Sequence, residues 1–370
     1  MAGESKKLSV LQINAMIKEA KYSWIAAETS LSKLSEEEQN RRLGLDAYLD
    51  VHEAERQRIE SILSKKETSA PRSFSSNSDW RNKNGKNWVT PVRDQGSCGS
   101  CVAFGTVATI EYQAKIQYDD PSWDLNLSEA DLFFCGAGRR CTQGWWPTYA
   151  LDYAKDKGIA EEACFPYQDQ DVDCTLCSDK ANRSLKVEKW YEIISINERK
   201  EWLDKKGPLV ACMAVYRDFF SYKEGVYRHV TGDLAGYHAI ACVGYSEEEQ
   251  CWICKNSWGT SWGDKGFFKI AYGQAEMDTQ FAKYGVENLT GTLKPKNKIV
   301  CNSAEYLVVD HSFANNRSVL WAYVDGKWHY QMVSDTQLAG MAKIVFETSP
   351  VQVCYQDDKI IQIQGWKKLS

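Results

Sequence analysis

The spacing of apolar and polar positions divides the chain into three parts, of which the first is polar and helical in pattern. Between Leu8 and Leu63 the apolar residues recur at helical spacing, which predicts two or three short helices. Ser35 and Glu38 have the form of a capping box at the start of one of these helices. The polar stretch 64–78 predicts an exposed linker. We therefore expect a helical N-terminal segment over residues 1–72.

The second part, residues 73–292, changes from helical to β character. Cys101–Gln117 is rich in alanine and apolar residues and precedes Asp119-Asp-Pro121, which predicts a helix. A second helix is predicted over Pro147–Lys157, before Gly158. Three runs after Pro208 predict strands: Leu209–Val215, His238–Val243 and Gly266–Ile270. Helices followed by strands predict an α+β fold with a helical lobe and a β lobe.

The third part, residues 293–370, shows short alternating runs. Tyr306–Val309 and Lys343–Phe346 are typical of strands, so this part predicts a small β-rich C-terminal module. Cys301 and Cys354 both lie in it and could link its strands. The pattern indicates no role for the module.

Composition excludes several classes of partner. The chain has 370 residues, of which 43% are hydrophobic and 26% charged, so it is ordinary globular material with room for two or three domains. The net charge of −5 does not suggest a nucleic-acid-binding protein, since these are usually basic. No run of basic residues suggests attachment to a membrane. No stretch approaches the roughly 20 apolar residues that span a bilayer.

Thirteen cysteines are many for a chain of this length, and the odd number leaves at least one thiol unpaired if the others pair within the chain. Disulfide bonds imply an oxidising environment, so we expect a secreted, periplasmic or lysosome-like location. The N-terminus lacks the apolar core of a secretory signal.

One stretch carries the chemistry. The sequence Gln95-Gly-Ser-Cys98-Gly-Ser-Cys101 places a cysteine at the start of a predicted helix, and His238 and Asn256 follow far downstream. A helix N-terminus and a nearby imidazolium both lower the pKa of a thiol and so favour the nucleophilic thiolate. This chemistry needs neither a cofactor nor a metal, and we predict none.

In these three blocks the chain resembles the papain family of cysteine peptidases. The resemblance implies a two-lobed fold, with Cys101 as nucleophile, His238 as the proton-transferring base and acid, and Asn256 orienting the imidazole. It assigns the side chain of Gln95 to the oxyanion hole and makes Trp258 a shield over the histidine–asparagine bond. The implied function is that of a cysteine endopeptidase acting on proteins or peptides through a thioester.

The resemblance also implies how the precursor is organised. The family carries an inhibitory propeptide where this chain has residues 1–72, so we interpret that segment as an intramolecular inhibitor. It is short and lacks the family's interspersed Glu-Arg-Phe-Asn-Ile-Asn helix pattern. The alternative is a permanent helical accessory domain.

The family pattern further assigns two disulfide bonds and a substrate pocket. The bonds are Cys98–Cys141 and Cys135–Cys174. The residues that fall at wall and pocket positions are Gln143, Gly144, Trp145, Trp146, Cys212, Ala239 and Leu289. All are uncharged, which favours an apolar residue at P2, the second residue from the end of the acyl fragment. Two residues depart from the family pattern. Val102 stands where the family has tryptophan. Tyr284 stands where the family has the second cysteine of a third disulfide bond. Cys164 and Cys177 are additional and could pair.

Two other functions remain open at this stage. A peptide ligase would form the same thioester but transfer it to an amine. A zinc-binding or thiol-active protein would use the three Cys-x-x-Cys pairs, which begin at Cys98, Cys174 and Cys251. Cys251 and Cys254 lie in a predicted strand, where positions i and i+3 face opposite sides, so they form a poor chelate.

Overall fold

The computed structural model describes residues 9–45, 49–63, 74–295, 300–303, 306–312, 317–324, 327–334, 337, 351–356 and 359–365. The chain divides into two compact units between Lys294 and Pro295. Most of the predicted linker and the predicted strand Lys343–Phe346 lie outside the described residues.

The helices of the larger unit are α1 (Val10–Glu19), α2 (Glu36–Asn40), α3 (Leu49–Leu63), α4 (Cys101–Gln117), α5 (Pro147–Asp156) and α6 (Ile196–Lys205). A π-helical turn covers Asp131–Ala137, and 3₁₀ turns cover Glu162–Cys164, Lys180–Asn182 and Arg217–Ser221. α4 is buried along most of its length because small and apolar residues surround its axis. Its bounds are those that the sequence predicts, and α5 ends one residue before the predicted end.

Within the described ranges one large sheet forms the β lobe. Its strands are β2 (Asn77–Asp79), β3 (Ile159–Ala160), β4 (Ser184–Ile193), β5 (Leu209–Tyr216), β7 (Val226–Tyr227), β8 (Leu234–Ser246), β9 (Cys251–Lys255), β10 (Phe267–Ala271) and β11 (Lys283–Gly291). The strand order is β3-β4-β11-β5-β8-β9-β10-β7, with β2 on β8. The three predicted strands correspond to β5, β8 and β10, and the β8 strand is longer than predicted at both ends.

Two apolar cores lie on either side of the cleft between the lobes. The first includes α4, α5 and the inner residues of β4 and β11. The second fills the β lobe with aromatic side chains such as Phe219, Trp252 and Trp262. α4 packs against β8, so its first residue faces the middle of the sheet. This packing brings Cys101, at the start of α4, close to the part of β8 that contains His238.

The N-terminal segment docks on the β lobe by adding a strand. β1 (Ile25–Ala26) pairs antiparallel with β6 (Tyr222–Glu224). Trp24 is buried beside β1, with its ring stacked on Tyr222 at 6.2 Å and edge-on to Tyr227 at 5.1 Å between centroids. The predicted capping box is present, since Ser35 and Glu38 exchange hydrogen bonds at the start of α2.

Three disulfide bonds tie down the loops of the helical lobe: Cys98–Cys141, Cys135–Cys174 and Cys164–Cys177. The first two are those that the family resemblance implies, and the third is the additional pair noted in the sequence. Each bond restricts the conformations that the unfolded chain can adopt. This lowers the entropy gained on unfolding and so stabilises the folded lobe.

The smaller unit is a sheet. Its strands are β12 (Val300–Ser303), β13 (Tyr306–Ser312), β14 (Arg317–Val324), β15 (Lys327–Val333), β16 (Val351–Gln356) and β17 (Lys359–Gly365), in the order β12-β16-β17-β15-β14-β13. Leu320, Ala322 and Val353 are buried in a small core of its own. Cys354 is disulfide-bonded, and Cys301 is its register partner on the neighbouring strand.

Candidate active site

Cys101 lies at the point where α4 meets β8. It is the first residue of α4, so the free amides of the helix N-terminus surround it. Its Sγ accepts a hydrogen bond from the backbone N–H of Ala239 at 3.4 Å. Because Ala239 follows His238 on β8, the thiol lies beside the histidine.

A hydrogen bond to Asn256 orients the imidazole ring of His238. The Nε2 of His238 donates to the Oδ1 of Asn256 at 2.8 Å, and the backbone N–H of Ser257 donates to the same oxygen at 2.8 Å. Trp258 is fully buried, with its ring 4.7 Å from the imidazole centroid. The Nδ1 of His238 is buried and has no hydrogen-bond partner in the described part of the chain.

Gln95 provides amide hydrogens near the thiol. Its Nε2 donates to the carbonyl oxygens of Cys98, at 2.8 Å, and of Arg42, at 3.1 Å. Its Oε1 accepts from the hydroxyl of Ser257 at 2.7 Å. Ser257 thus fixes which side of the Gln95 amide faces the cleft. Sequence reasoning missed this residue, although its place beside Asn256 was a signal.

The residues Arg42 to Leu45 of the N-terminal segment cross the cleft. Gly44 accepts a hydrogen bond from the backbone N–H of Trp145 at 2.9 Å, and Leu45 donates to the carbonyl of Tyr237 at 3.3 Å. A Cβ atom on Gly44 would lie only 1.7 Å from the carbonyl oxygen of Gly99, so only glycine fits there. The glycine between two leucines was the available signal in the sequence.

Burial shifts the pKa values of the two groups that lie beneath this segment. Cys101 and His238 are both fully buried. Burial raises the pKa of the Cys101 thiol to about 11, against the opposing effect of hydrogen bonds from the amides of Ala239 and Gly44. Burial also lowers the pKa of His238 to about 4, against the opposing hydrogen bond to Asn256. At neutral pH the covered pair is therefore a neutral thiol and a neutral imidazole.

The residues assigned to the substrate pocket fall into two groups. Trp145, Trp146, Cys212, Ala239 and Leu289 are buried in the apolar core that also contains Leu45. Leu289 also makes two backbone hydrogen bonds with the side chain of Gln117. Gln143 is exposed, and its side chain accepts from the backbone N–H of Arg140 at 2.9 Å, while Gly144 is half-buried between the two groups.

The cysteine pairs do not form a metal site within the described ranges. Cys98, Cys174 and Cys177 are each bonded to a cysteine outside their Cys-x-x-Cys pair. Among the residues that the structure describes, no group of three or more His, Cys, Asp or Glu side chains could hold a metal ion. A search of the same residues found no helix of the length and hydropathy needed to cross a bilayer.

Residues 74–288 match the profile of the papain family cysteine proteases. The chain belongs to this family. It is 36% identical over 208 residues to pro-cathepsin H of Bos taurus, an alignment that covers 53% of this chain and 59% of that protein. The chain therefore spans less than two thirds of the length of this curated relative.

Solved structures of related precursors share the fold. Procathepsin L2 from the larval midgut of Tenebrio molitor is 26% identical, with a TM-score of 0.61 over 75% of this chain and 89% of that one. ProCathepsin B S9 from Trypanosoma congolense is 23% identical, with a TM-score of 0.60 over 76% of this chain and 99% of that one. The α+β, two-lobed papain fold is thus the fold of this chain.

Proposed function

We propose that this chain is the self-inhibited precursor of a cysteine endopeptidase that hydrolyses peptide bonds through a thioester on Cys101. The observation that carries the proposal is the pair His238–Asn256, joined at 2.8 Å beside the thiol at the start of α4. In the uncovered cleft His238 takes the thiol proton, and the thiolate attacks the peptide carbonyl. The imidazolium then protonates the leaving amine, and water hydrolyses the thioester.

The oxyanion that forms during attack needs donors already in place. The Nε2 of Gln95 holds the Arg42 carbonyl at 3.1 Å, and the same amide serves the carbonyl of a substrate once the segment leaves. The second donor in this proposal is the backbone N–H of Cys101. One such donor lowers the barrier by about 3 kcal/mol.

The N-terminal segment inhibits in two ways in this proposal. It fills the cleft between Arg42 and Leu45, and its burial of Cys101 and His238 keeps both groups neutral. Cleavage of the chain between Ser64 and Ser78 would convert the tethered inhibitor into one that dissociates. A chain that starts at Ser73 should hydrolyse peptides, whereas the uncut precursor should not. Equal rates would favour a permanent accessory domain instead.

The apolar core around Leu45 supports an apolar P2 residue. A buried leucine or phenylalanine gains free energy from the pocket, whereas an arginine there lacks a counter-charge. We expect kcat/KM to be at least about tenfold higher for an apolar P2 residue than for arginine. Fluorogenic peptides that differ only at P2 measure this ratio, and a preference for arginine would contradict the pocket assignment.

The nucleophile is tested by Cys101→Ala, which should abolish turnover and leave the fold intact. Cys251→Ala is the matched control, because Cys251 is also a buried thiol but lies on β9, away from the His238–Asn256 pair. Full activity of a folded Cys101→Ala protein would refute the proposal. Products formed with an added amine distinguish hydrolysis from peptide ligation, which would yield the amide.

The disulfide bonds of the helical lobe and the disulfide-bonded Cys354 favour an oxidising environment such as a secretory, periplasmic or lysosome-like compartment.

A further inference from the structure

The carboxylate of Asp94 lies at the edge of the cleft. Neighbouring residues of the larger unit, outside the N-terminal segment, hold it in place. The backbone N–H of Gly96 donates to its Oδ1 at 2.9 Å. Its backbone pairs with Trp258 in a short antiparallel bridge, and its side chain lies close to Gly259, where a Cβ atom would come within 3.1 Å of Oδ2. The position of this carboxylate therefore does not depend on the N-terminal segment.

In the precursor, Arg42 forms an ion pair with this carboxylate. Its Nη1 donates to the Oδ1 of Asp94 at 2.7 Å. The Arg42 side chain is only 12% exposed, whereas that of Asp94 is 51% exposed, so the arginine lies in the cleft and the carboxylate forms the rim. The carbonyl of the same arginine accepts from Gln95, in the position proposed for the carbonyl of a scissile bond.

The segment also defines the two directions along the cleft. Gly44 lies against Gly99 beside the catalytic thiol, Leu45 continues toward Trp145, and Arg42 lies on the other side, next to Asp94. In the proposed function the apolar pocket around Trp145 binds the acyl part of a substrate. Asp94 therefore lies on the side of the leaving amine.

Removal of the segment takes Arg42 away and leaves Asp94 without an ion-pair partner among the described residues. We propose that Asp94 then binds the cationic side chain of a substrate residue directly after the scissile bond, so that the enzyme prefers arginine or lysine at P1′. This inference rests on the proposed function. Asp169 adds to the negative charge near the same loop, since its Oδ2 accepts from the backbone N–H of Ser97 at 3.3 Å.

The expected preference is moderate because the carboxylate is half-exposed. An ion pair in such a position changes kcat/KM by about fivefold. Its strength falls as salt rises, because ions screen exposed charges.

The experiment uses the activated enzyme and two internally quenched peptides that share a leucine at P2 and differ only at P1′. One carries arginine and the other citrulline, which has nearly the same shape but no charge. The wild-type enzyme should cleave the arginine peptide about fivefold more efficiently at low salt, and the ratio should approach one in about 0.5 M NaCl. Asp94→Asn should bring the ratio to about one at low salt. Asp169→Asn is the matched control and should keep most of the preference.

The outcomes separate this inference from the proposed function. Cleavage of both peptides with equal efficiency by the wild type would overturn the inference and leave the proposed function standing. A preference that persists in Asp94→Asn, or that does not respond to salt, would also overturn it. If the wild type cleaves neither peptide, the proposed function fails and the inference fails with it. The salt dependence needs no variant, so poor folding of Asp94→Asn would not prevent a decision.

Discussion

At the residue scale, the geometry of the cleft depends on side chains that stand behind the reacting groups. Ser257 is 7% exposed and donates to the Oε1 of Gln95 at 2.7 Å. In the proposed function, this hydrogen bond orients the Gln95 amide toward the substrate carbonyl. We call it a positioning residue.

Ser257→Ala should lower kcat by about three- to tenfold with little change in KM, because the loss of one orienting hydrogen bond affects the transition state more than substrate binding. Steady-state kinetics of the activated enzyme give both constants. Ser246→Ala is the control, since Ser246 is also buried but its hydroxyl accepts from the amide of Glu249 in a turn. A rise in KM at constant kcat would show that Ser257 shapes the binding site instead.

From the burial of His238 we expect the precursor to lose stability in acid. In the covered cleft the pKa of His238 is lowered to about 4, whereas an unfolded chain has the ordinary histidine value of about 6.5. As the pH falls, His238 is therefore protonated in the unfolded state at a higher pH than in the folded state. The stability that comes from keeping His238 neutral is fully present above about pH 6.5 and is lost as the pH falls toward 4.

This linkage can be measured in Cys101→Ala precursor, which cannot cleave itself. Between pH 7 and 4.5 its free energy of unfolding in urea should fall by about 2 kcal/mol more than that of the same protein with His238→Gln. Equal pH dependence of the two proteins would contradict the burial of a neutral imidazole. The same sign predicts that acid favours release of the segment, since the uncovered histidine can be charged.

At the element scale, a strand of two residues and a buried tryptophan help to anchor the N-terminal segment on the β lobe. β1 extends the edge at β6, and Gly225 follows β6 with φ of 90°. A Cβ atom on Gly225 would lie 2.6 Å from the Cα of Trp24, so glycine permits this close approach. Strand addition of this kind supplies main-chain hydrogen bonds, and the Trp24 ring packs in the core of the β lobe together with Ile13, Ile17 and Leu31.

Trp24→Ala in the precursor should raise the basal peptidase activity of the uncut chain by about a hundredfold, because loss of a buried tryptophan costs about 3 kcal/mol or more. Initial rates with a fluorogenic peptide, taken before any chain is cut, measure this change. Leu11→Ala is the control, since Leu11 lies on α1 and is 82% exposed. Unchanged activity in Trp24→Ala would mean that the contacts of residues 42–45 suffice for inhibition.

At the scale of the whole molecule, the cleft residues and the C-terminal sheet belong to different compact units, which divide after Lys294. The residues of the small core, among them Leu320, Ala322 and Ile360, all belong to the smaller unit. The cores beside the cleft are built from residues of the larger unit. A unit with its own core is expected to fold without the other.

A chain that ends at Lys294 should therefore unfold cooperatively and, after activation, keep kcat/KM for short peptides within about twofold of the full-length enzyme. Urea unfolding followed by fluorescence and the peptide assay test the two parts of this prediction. Aggregation or a broad transition of the shortened chain would show that the larger unit needs the C-terminal sheet.

Local patterns were enough to predict much of the fold, whereas the candidate site was predicted from the resemblance to a family. Helix Cys101–Gln117 has the predicted bounds, because its composition and its stop signal are both local. The α+β class is confirmed, since a run of helices followed by strands leaves few other packings. The roles of Cys101, His238, Asn256 and Gln95 remain predictions from spacing and resemblance.

Tertiary structure alone decided which distant residues the N-terminal segment meets. The strand of Ile25 and Ala26 is too short to show a period, and its partner lies about two hundred residues along the chain. The contacts of Arg42 with Asp94 and Gln95, and of Gly44 with Gly99, depend on how the segment crosses the cleft. Sequence patterns record the preferences of neighbouring residues. They do not record these contacts, because each arises only when separately formed elements pack together.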